Sequence, residues 1–315
     1  MSTLKALTTS FVLLGVAGAA NAEPVAPADA RPSATVEKVR AFDTITSGEA
    51  RQFKVELDGY VPPTNWLPQI KGGKVVIKAE VYPDEYRIDT RARAAGIVDW
   101  FVNYSSHLVS KGIITEKGVT PRFYSATDDE GRKNRRTQIV HSEDDVKVTV
   151  TPPHGNLGDP AATLEQKLEA MDPISALLAL AISPEATAKD PCRGSMRVFD
   201  GKGRYDLKLS FGEYRKNLGE KAWNGPGYIC YIQYVELAGF KKKSAEQKRK
   251  EAKDLRWVSM TLADMGPGEL RVPIKIEARS NKRGKVTIVA TDLDYGTLPV
   301  DVDHAELDHS DASNG

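Results

Sequence analysis

Asp172-Pro-Ile-Ser-Ala-Leu-Leu-Ala-Leu-Ala-Ile-Ser-Pro184 decides the architecture of this chain. Asp172 reads as an N-cap, and Pro173 as the first helical residue, where a missing N–H breaks no hydrogen bond. Ser183-Pro184 stops the helix. Between these signals only Ser175 interrupts an apolar surface, so the helix has no face to offer water. It is too short to cross a bilayer, which takes about 20 residues. Its place is therefore a protein interior. Because most other segments read as strands, that interior lies inside, or across the mouth of, a strongly curved sheet. Leu177, at the helix centre, is the residue there that would touch an apolar ligand. The preceding Thr163 to Met171 sets Leu164, Leu168 and Met171 on one side and reads as a helical lead-in.

Outward from this helix the texture is alternation. Phe53, Val55 and Leu57 share one face of a strand, as a half-buried sheet requires. Lys74 to Tyr82 and Tyr86 to Ala92 form a hairpin about Pro83-Asp84-Glu85. Further strands are expected at Pro121 to Ala126, Thr137 to His141 and Val146 to Thr151. Beyond the helix come Met196 to Phe199, an Asp200-Gly201 turn, Tyr205 to Phe211, the run around Cys230 ended by Gly239, then Trp257 to Met260, Leu270 to Ala278 and Lys285 to Ala290.

Three stretches depart from this pattern. Ile97, Trp100, Phe101 and Tyr104 recur at helical spacing, an aromatic stripe that serves either as core or as the wall of a ligand pocket; Trp100 and Phe101 are its candidate contacts. Arg132 to Arg136 is basic but flanked by acids, as a solvated hairpin tip would be. Lys241 to Arg256 holds eight basic and three acidic residues. It reads as a polar connecting helix, with docking on lipid head groups or another acidic surface as the sharper alternative.

The first 22 residues have the three parts of a secretory signal: a charge at Lys5, an apolar run from Ala6 to Ala19, and Ala20-Asn21-Ala22 before the cut. The apolar core is shorter than a bilayer span, so an uncleaved anchor is the weaker reading. The expected plan is a signal peptide at 1–22, a Pro- and Ala-rich leader at 23–50, one β-rich domain at 51–293 and an acidic tail at 294–315. Export to an oxidising compartment makes a Cys192–Cys230 disulfide the expected state of the chain's only cysteines, against two buried free thiols. Loss of Lys5 with the signal would leave 43 basic and 43 acidic residues. That balance argues against general attraction to nucleic acid or to an anionic membrane.

Motifs for chemistry are missing. The sequence has no nucleophile elbow, no phosphate-binding loop, no dinucleotide fingerprint and no zinc helix. A disulfide would occupy both thiols. His304 and His309, among Asp301, Asp303 and Asp308, lie on the expected tail and make a poor metal site. No catalytic residue, metal or cofactor is expected. Arg204, Tyr205 and Asp206 are candidates for ligand contact, weighed against turn and hydrogen-bonding roles.

Several segments resemble the family of proteobacterial periplasmic proteins known as domain of unknown function 3108. They are Thr90 to Phe101, Met171 to Leu180, Val198 to Leu207, Cys230 and Tyr234 with Ala238-Gly-Phe240, and Pro273 to Glu277. Their order and spacing extend the resemblance over about Lys74 to Leu293. It implies a mainly β fold, a highly curved antiparallel sheet (open barrel or β-spiral) with the apolar helix against its concave side, akin to periplasmic lipoprotein carriers. It implies no catalytic assignment. The expected function is a non-enzymatic periplasmic protein that supports the cell envelope by binding a lipid or other apolar ligand, or an envelope protein. The alternative is an enzyme acting on envelope glycan or lipid, which for hydrolysis needs two facing carboxylates roughly 5 to 9.5 Å apart.

Overall fold

The computed structural model describes residues 49–63, 68–96, 104–115, 118–129, 134–182, 192, 194–282 and 284–298. The expected signal peptide and nearly all of the leader, the segment 97–103 with Trp100 and Phe101, the tip at 130–133, Ser183-Pro184 and the tail from 299 lie outside the described residues.

Seven strands come first: β1 (Ala50–Val61), β2 (Ile70–Val81), β3 (Glu85–Ala94), β4 (Ser105–Thr115), β5 (Gly118–Asp129), β6 (Asn134–His141) and β7 (Val146–Thr151). Two helices follow, α1 (Leu164–Leu168) and α2 (Pro173–Ala181). Then come β8 (Gly194–Phe199), β9 (Arg204–Arg215), β10 (Gly227–Ala238), α3 (Ala245–Asp254), β11 (Leu255–Asp264), β12 (Arg271–Ser280) and β13 (Gly284–Leu298). Within each group every strand pairs antiparallel with its neighbour in sequence, and β1 joins the groups by pairing with β13. Among the described residues the result is one sheet of 13 strands, ordered β7 to β1, then β13 to β8. It is not closed: β7 and β8 are its two edges. Met171 adds a short parallel bridge to the outer side of β8, its N–H donating to the Arg197 carbonyl and its own carbonyl accepting from Phe199.

The sheet curves because it must enclose α2. That helix touches β4 and β5 from one group and β8 and β12 from the other, which no flat sheet would allow. Ile174, Leu177, Leu178, Leu180 and Ile182 are all buried. At about 2 kcal/mol for each large side chain, their burial stabilises the fold by on the order of 10 kcal/mol as an upper value. The inward faces of the strands supply the other side of the core, for example Val75, Ile77, Ala79 and Val81 on β2 and Tyr86, Ile88 and Ala92 on β3.

At the seam between the two groups, Arg51 of β1 grips Glu269 with two bonds, Nε to Oε2 at 2.6 Å and Nη2 to Oε1 at 2.9 Å. The Tyr295 hydroxyl of β13 donates to the same carboxylate at 2.6 Å. The Arg51 guanidinium holds the Glu269 carboxyl below its ordinary range.

Three elements differ from the sequence reading. Strand β4 has no counterpart in it, and β13 runs to Leu298, past the boundary placed at 293. The lead-in helix α1 is short and buries none of its residues, so Leu164 and Leu168 do not form an inward face.

Candidate functional site

The one polar position of α2 is answered in full. Asp172 caps the helix, its Oδ1 accepting from the N–H groups of Ile174 at 3.0 Å and Ser175 at 2.9 Å. Its Oδ2 accepts from the hydroxyls of Ser175 and, at 3.0 Å, Ser110. Ser110 Oγ lies 2.8 Å from Ser175 Oγ, and the Tyr86 hydroxyl 2.6 Å from it. Gly112 on β4 keeps room for this phenol: a Cβ there would stand 2.6 Å from the Tyr86 oxygen. Burial pushes the Asp172 carboxyl above its ordinary value, and the hydrogen bonds from Ser175, Ser110 and Ile174 pull it partly back. Burial likewise raises the Tyr86 phenol. A carboxylate so enclosed and so fully hydrogen-bonded anchors a helix. It offers no atom to a substrate arriving from solvent.

Beside α2 a cavity of about 20 Å³ remains, lined by Phe53, Val55, Ile77, Ile88, Thr90 and Leu177 among others. That volume admits about one water molecule. Leu177 therefore faces apolar neighbours, and an acyl chain would fit only if the helix moved. The Thr90 hydroxyl is buried here without a hydrogen-bond partner among the described residues.

Arg204, Tyr205 and Asp206 stand at the start of β9 and line neither this cavity nor the groove described next. Arg204 is buried, its Nη1 donating to Asp206 Oδ1 at 2.6 Å and to the Tyr205 carbonyl at 2.8 Å, while Nε reaches the Gln166 carbonyl of α1 at 3.1 Å. The Tyr205 ring packs 4.7 Å from that of Tyr234. All three are thus engaged with the protein itself, tying β9 to α1. The turn before them needs Gly201, which sits at φ 96°. The disulfide is present: Cys192, in the turn that leads into β8, joins Cys230 on the inner side of β10, with both residues fully buried. It reaches across β9, because β8 and β10 flank that strand.

The opposite face of β2 to β5 carries a feature that the sequence reading missed. A groove of about 1050 Å³ lies there, lined by charged side chains from these strands. Its signal was legible in part, since Arg87, Asp89, Arg91 and Arg93 occupy alternate positions on one strand. Asp89 accepts from His107 Nε2 at 2.7 Å and from Arg91 Nε at 3.3 Å, taking the histidine as protonated on that nitrogen. Lys74 reaches Glu56 at 2.6 Å, and Lys54 and Lys74 together hold that carboxyl down to about 2.

The lysine-rich excursion folds as α3, with a capping box between Ser244 and Gln247. Lys243 bridges Glu236 and Glu251, and Asp254 holds the β12–β13 turn through Ser280 and Lys282. Among the described residues no group of three or more His, Cys, Asp or Glu is placed to hold a metal, and no helix is long and apolar enough to cross a membrane.

A single antiparallel sheet, open at two edges and wrapped about a buried apolar helix, defines a barrel-like β protein whose exposed groove is polar. The chain belongs to the family described as protein of unknown function DUF3108, whose model matches residues 30–291. It is similar to a solved β-barrel-like protein of the domain of unknown function DUF1849 from Brucella abortus, with 10% identity over 78% of this chain and 98% of that one and a TM-score of 0.49. No curated protein matches it.

Proposed function

We propose that this chain is a non-enzymatic periplasmic protein, exported by residues 1–22, that supports the cell envelope by engaging another envelope protein on its outer surface. One observation carries the choice between partner and cargo. The space that a lipid carrier would keep open is filled by α2, and the cavity left over is about 20 Å³. Carriers enclose their ligands in pockets of several hundred Å³. The asparagine, serine or acid that an enzyme would keep poised has no counterpart at the helix, where Asp172, Ser110 and Ser175 satisfy one another.

Native mass spectrometry of protein purified from the periplasm tests this reading. The expected spectrum shows the mature mass without bound lipid, and chemical crosslinking in cells yields a discrete adduct with an envelope protein. A stoichiometric lipid adduct on the purified protein would replace the scaffold reading with the carrier one.

A further inference from the structure

We infer that the groove on the outer face of β2 to β5 binds a phosphate-bearing sugar, either free or as the head group of a lipid. The first reason is an arrangement of like charges. Lys74 on β2 stands directly opposite Arg93 on β3. Directly opposed residues on one face have Cβ atoms about 5 Å apart, where like charges repel and weaken the sheet. The protein relieves one member of this pair, since Glu56 draws off Lys74; Arg91 in turn shares Asp89 with His107. Arg87 and Lys78 line the same groove and stand directly opposite Glu80 and Asp89, whereas Arg93 has no ion pair among the described residues. A bound anion would relieve the Lys74–Arg93 repulsion, and a guanidinium with an ammonium beside it suits phosphate.

The second reason is size and lining. About 1050 Å³ is far more than a phosphate ion fills and matches the upper range of small-molecule sites. Glu80, Asp89 and Asp129 stand among the cations, and carboxylates accept hydrogen bonds from sugar hydroxyls. Val76 gives the floor some apolar surface for a sugar ring. Acyl chains would find charged walls here. The groove lies on the face away from α2, so it is open without any change in the core, and this inference holds whether or not the partner reading does.

The test is titration of the full mature chain at low salt with glucose 6-phosphate, inorganic phosphate and glucose, followed by calorimetry or by amide shifts. Glucose 6-phosphate should bind at least tenfold more tightly than either fragment, and binding should weaken as salt rises. Arg93→Ala should reduce that affinity at least tenfold at an unchanged melting temperature, while Lys282→Ala, in a basic turn outside the groove, should leave it as it was. Arg87→Ala serves as a second variant should Arg93→Ala fold poorly. Cosedimentation with phosphatidylinositol vesicles, lost in Arg93→Ala and absent with phosphatidylcholine, would identify a lipid head group; binding confined to the soluble sugar phosphate would identify a free ligand. The inference is overturned if no probe binds, if inorganic phosphate binds as tightly as the sugar phosphate, or if neither arginine variant weakens binding.

Discussion

The hydroxyl of Tyr86 lies 2.6 Å from Oγ of Ser175, so the single polar residue on an otherwise apolar helix meets its partner on a strand 89 positions earlier in the chain. Packing alone would let α2 slide or rotate in its greasy surroundings, because one leucine contact resembles the next. A hydrogen bond at one position fixes both its rotation and its depth. Ser110 and Asp172 complete the anchor from β4 and from the helix's own cap.

Leu177→Asp sets a charge among Phe53, Val55 and Ile77 with no cation beside it. Burying an unpaired carboxylate costs several kcal/mol, a large share of the stability of an ordinary domain. The expected result is insoluble protein or a melting temperature lowered by more than 10 °C. A soluble variant with the wild-type melting temperature would mean that α2 has a wet face, and would make it a docking surface.

Substitutions at Asp172 separate capping from charge. The Asp172→Asn side chain still accepts from the helix N–H groups and should change stability by less than about 1 kcal/mol at neutral pH, whereas Asp172→Ala removes the cap and strands two hydroxyls, at about 3 kcal/mol. The pH dependence has a definite sign. Burial raises this carboxyl in the folded state, so the proton is held more tightly folded than unfolded. That contribution is complete below the unfolded value of about 3.9 and is lost as pH rises through the folded one. Relative to Asp172→Asn, the wild type should therefore gain stability between pH 7 and pH 4. Parallel melting curves across that range would rule this out.

The disulfide closes a loop with a sequence separation of 38. By the chain-entropy relation such a link is worth roughly 4 kcal/mol, acting largely on the unfolded chain. Paired Cys192→Ser and Cys230→Ser substitutions should lower the melting temperature while the far-ultraviolet spectrum of the sheet persists. Alkylation followed by intact-mass analysis should find no reactive thiol in the unreduced protein.

The helix was legible because each of its signals is local: a cap, a proline, an apolar run. Strand β4 was hidden because its inward positions include Ser106, Ser110 and Gly112, which break the apolar alternation. Those residues are there for Asp128, for Asp172 and for the room Tyr86 needs. At the other end, Asp294 fell in the expected acidic tail, yet it is an outer position of β13, and Leu293 and Tyr295 on either side of it pack on the core. The groove was only partly legible, for a different reason. Charges on alternate positions of one strand describe a wet face, and only the register with β2 shows that Arg93 faces Lys74.

The pairing of β1 with β13 sets a condition on assembly. Ala50 meets Leu298, so the central seam joins the first strand to the last. A chain delivered N-terminus first can form the meander from β1 to β7 early, but the outer rim of β1 then waits, its amides and carbonyls open, until the final strand arrives. Closure over so long a separation is slow, and an open strand rim in the interval is a template for pairing with other chains. Removal of β13 should therefore be felt first at Ala50 to Val61, far away in the sequence, and the seam is sealed by the last of the described strands to be made.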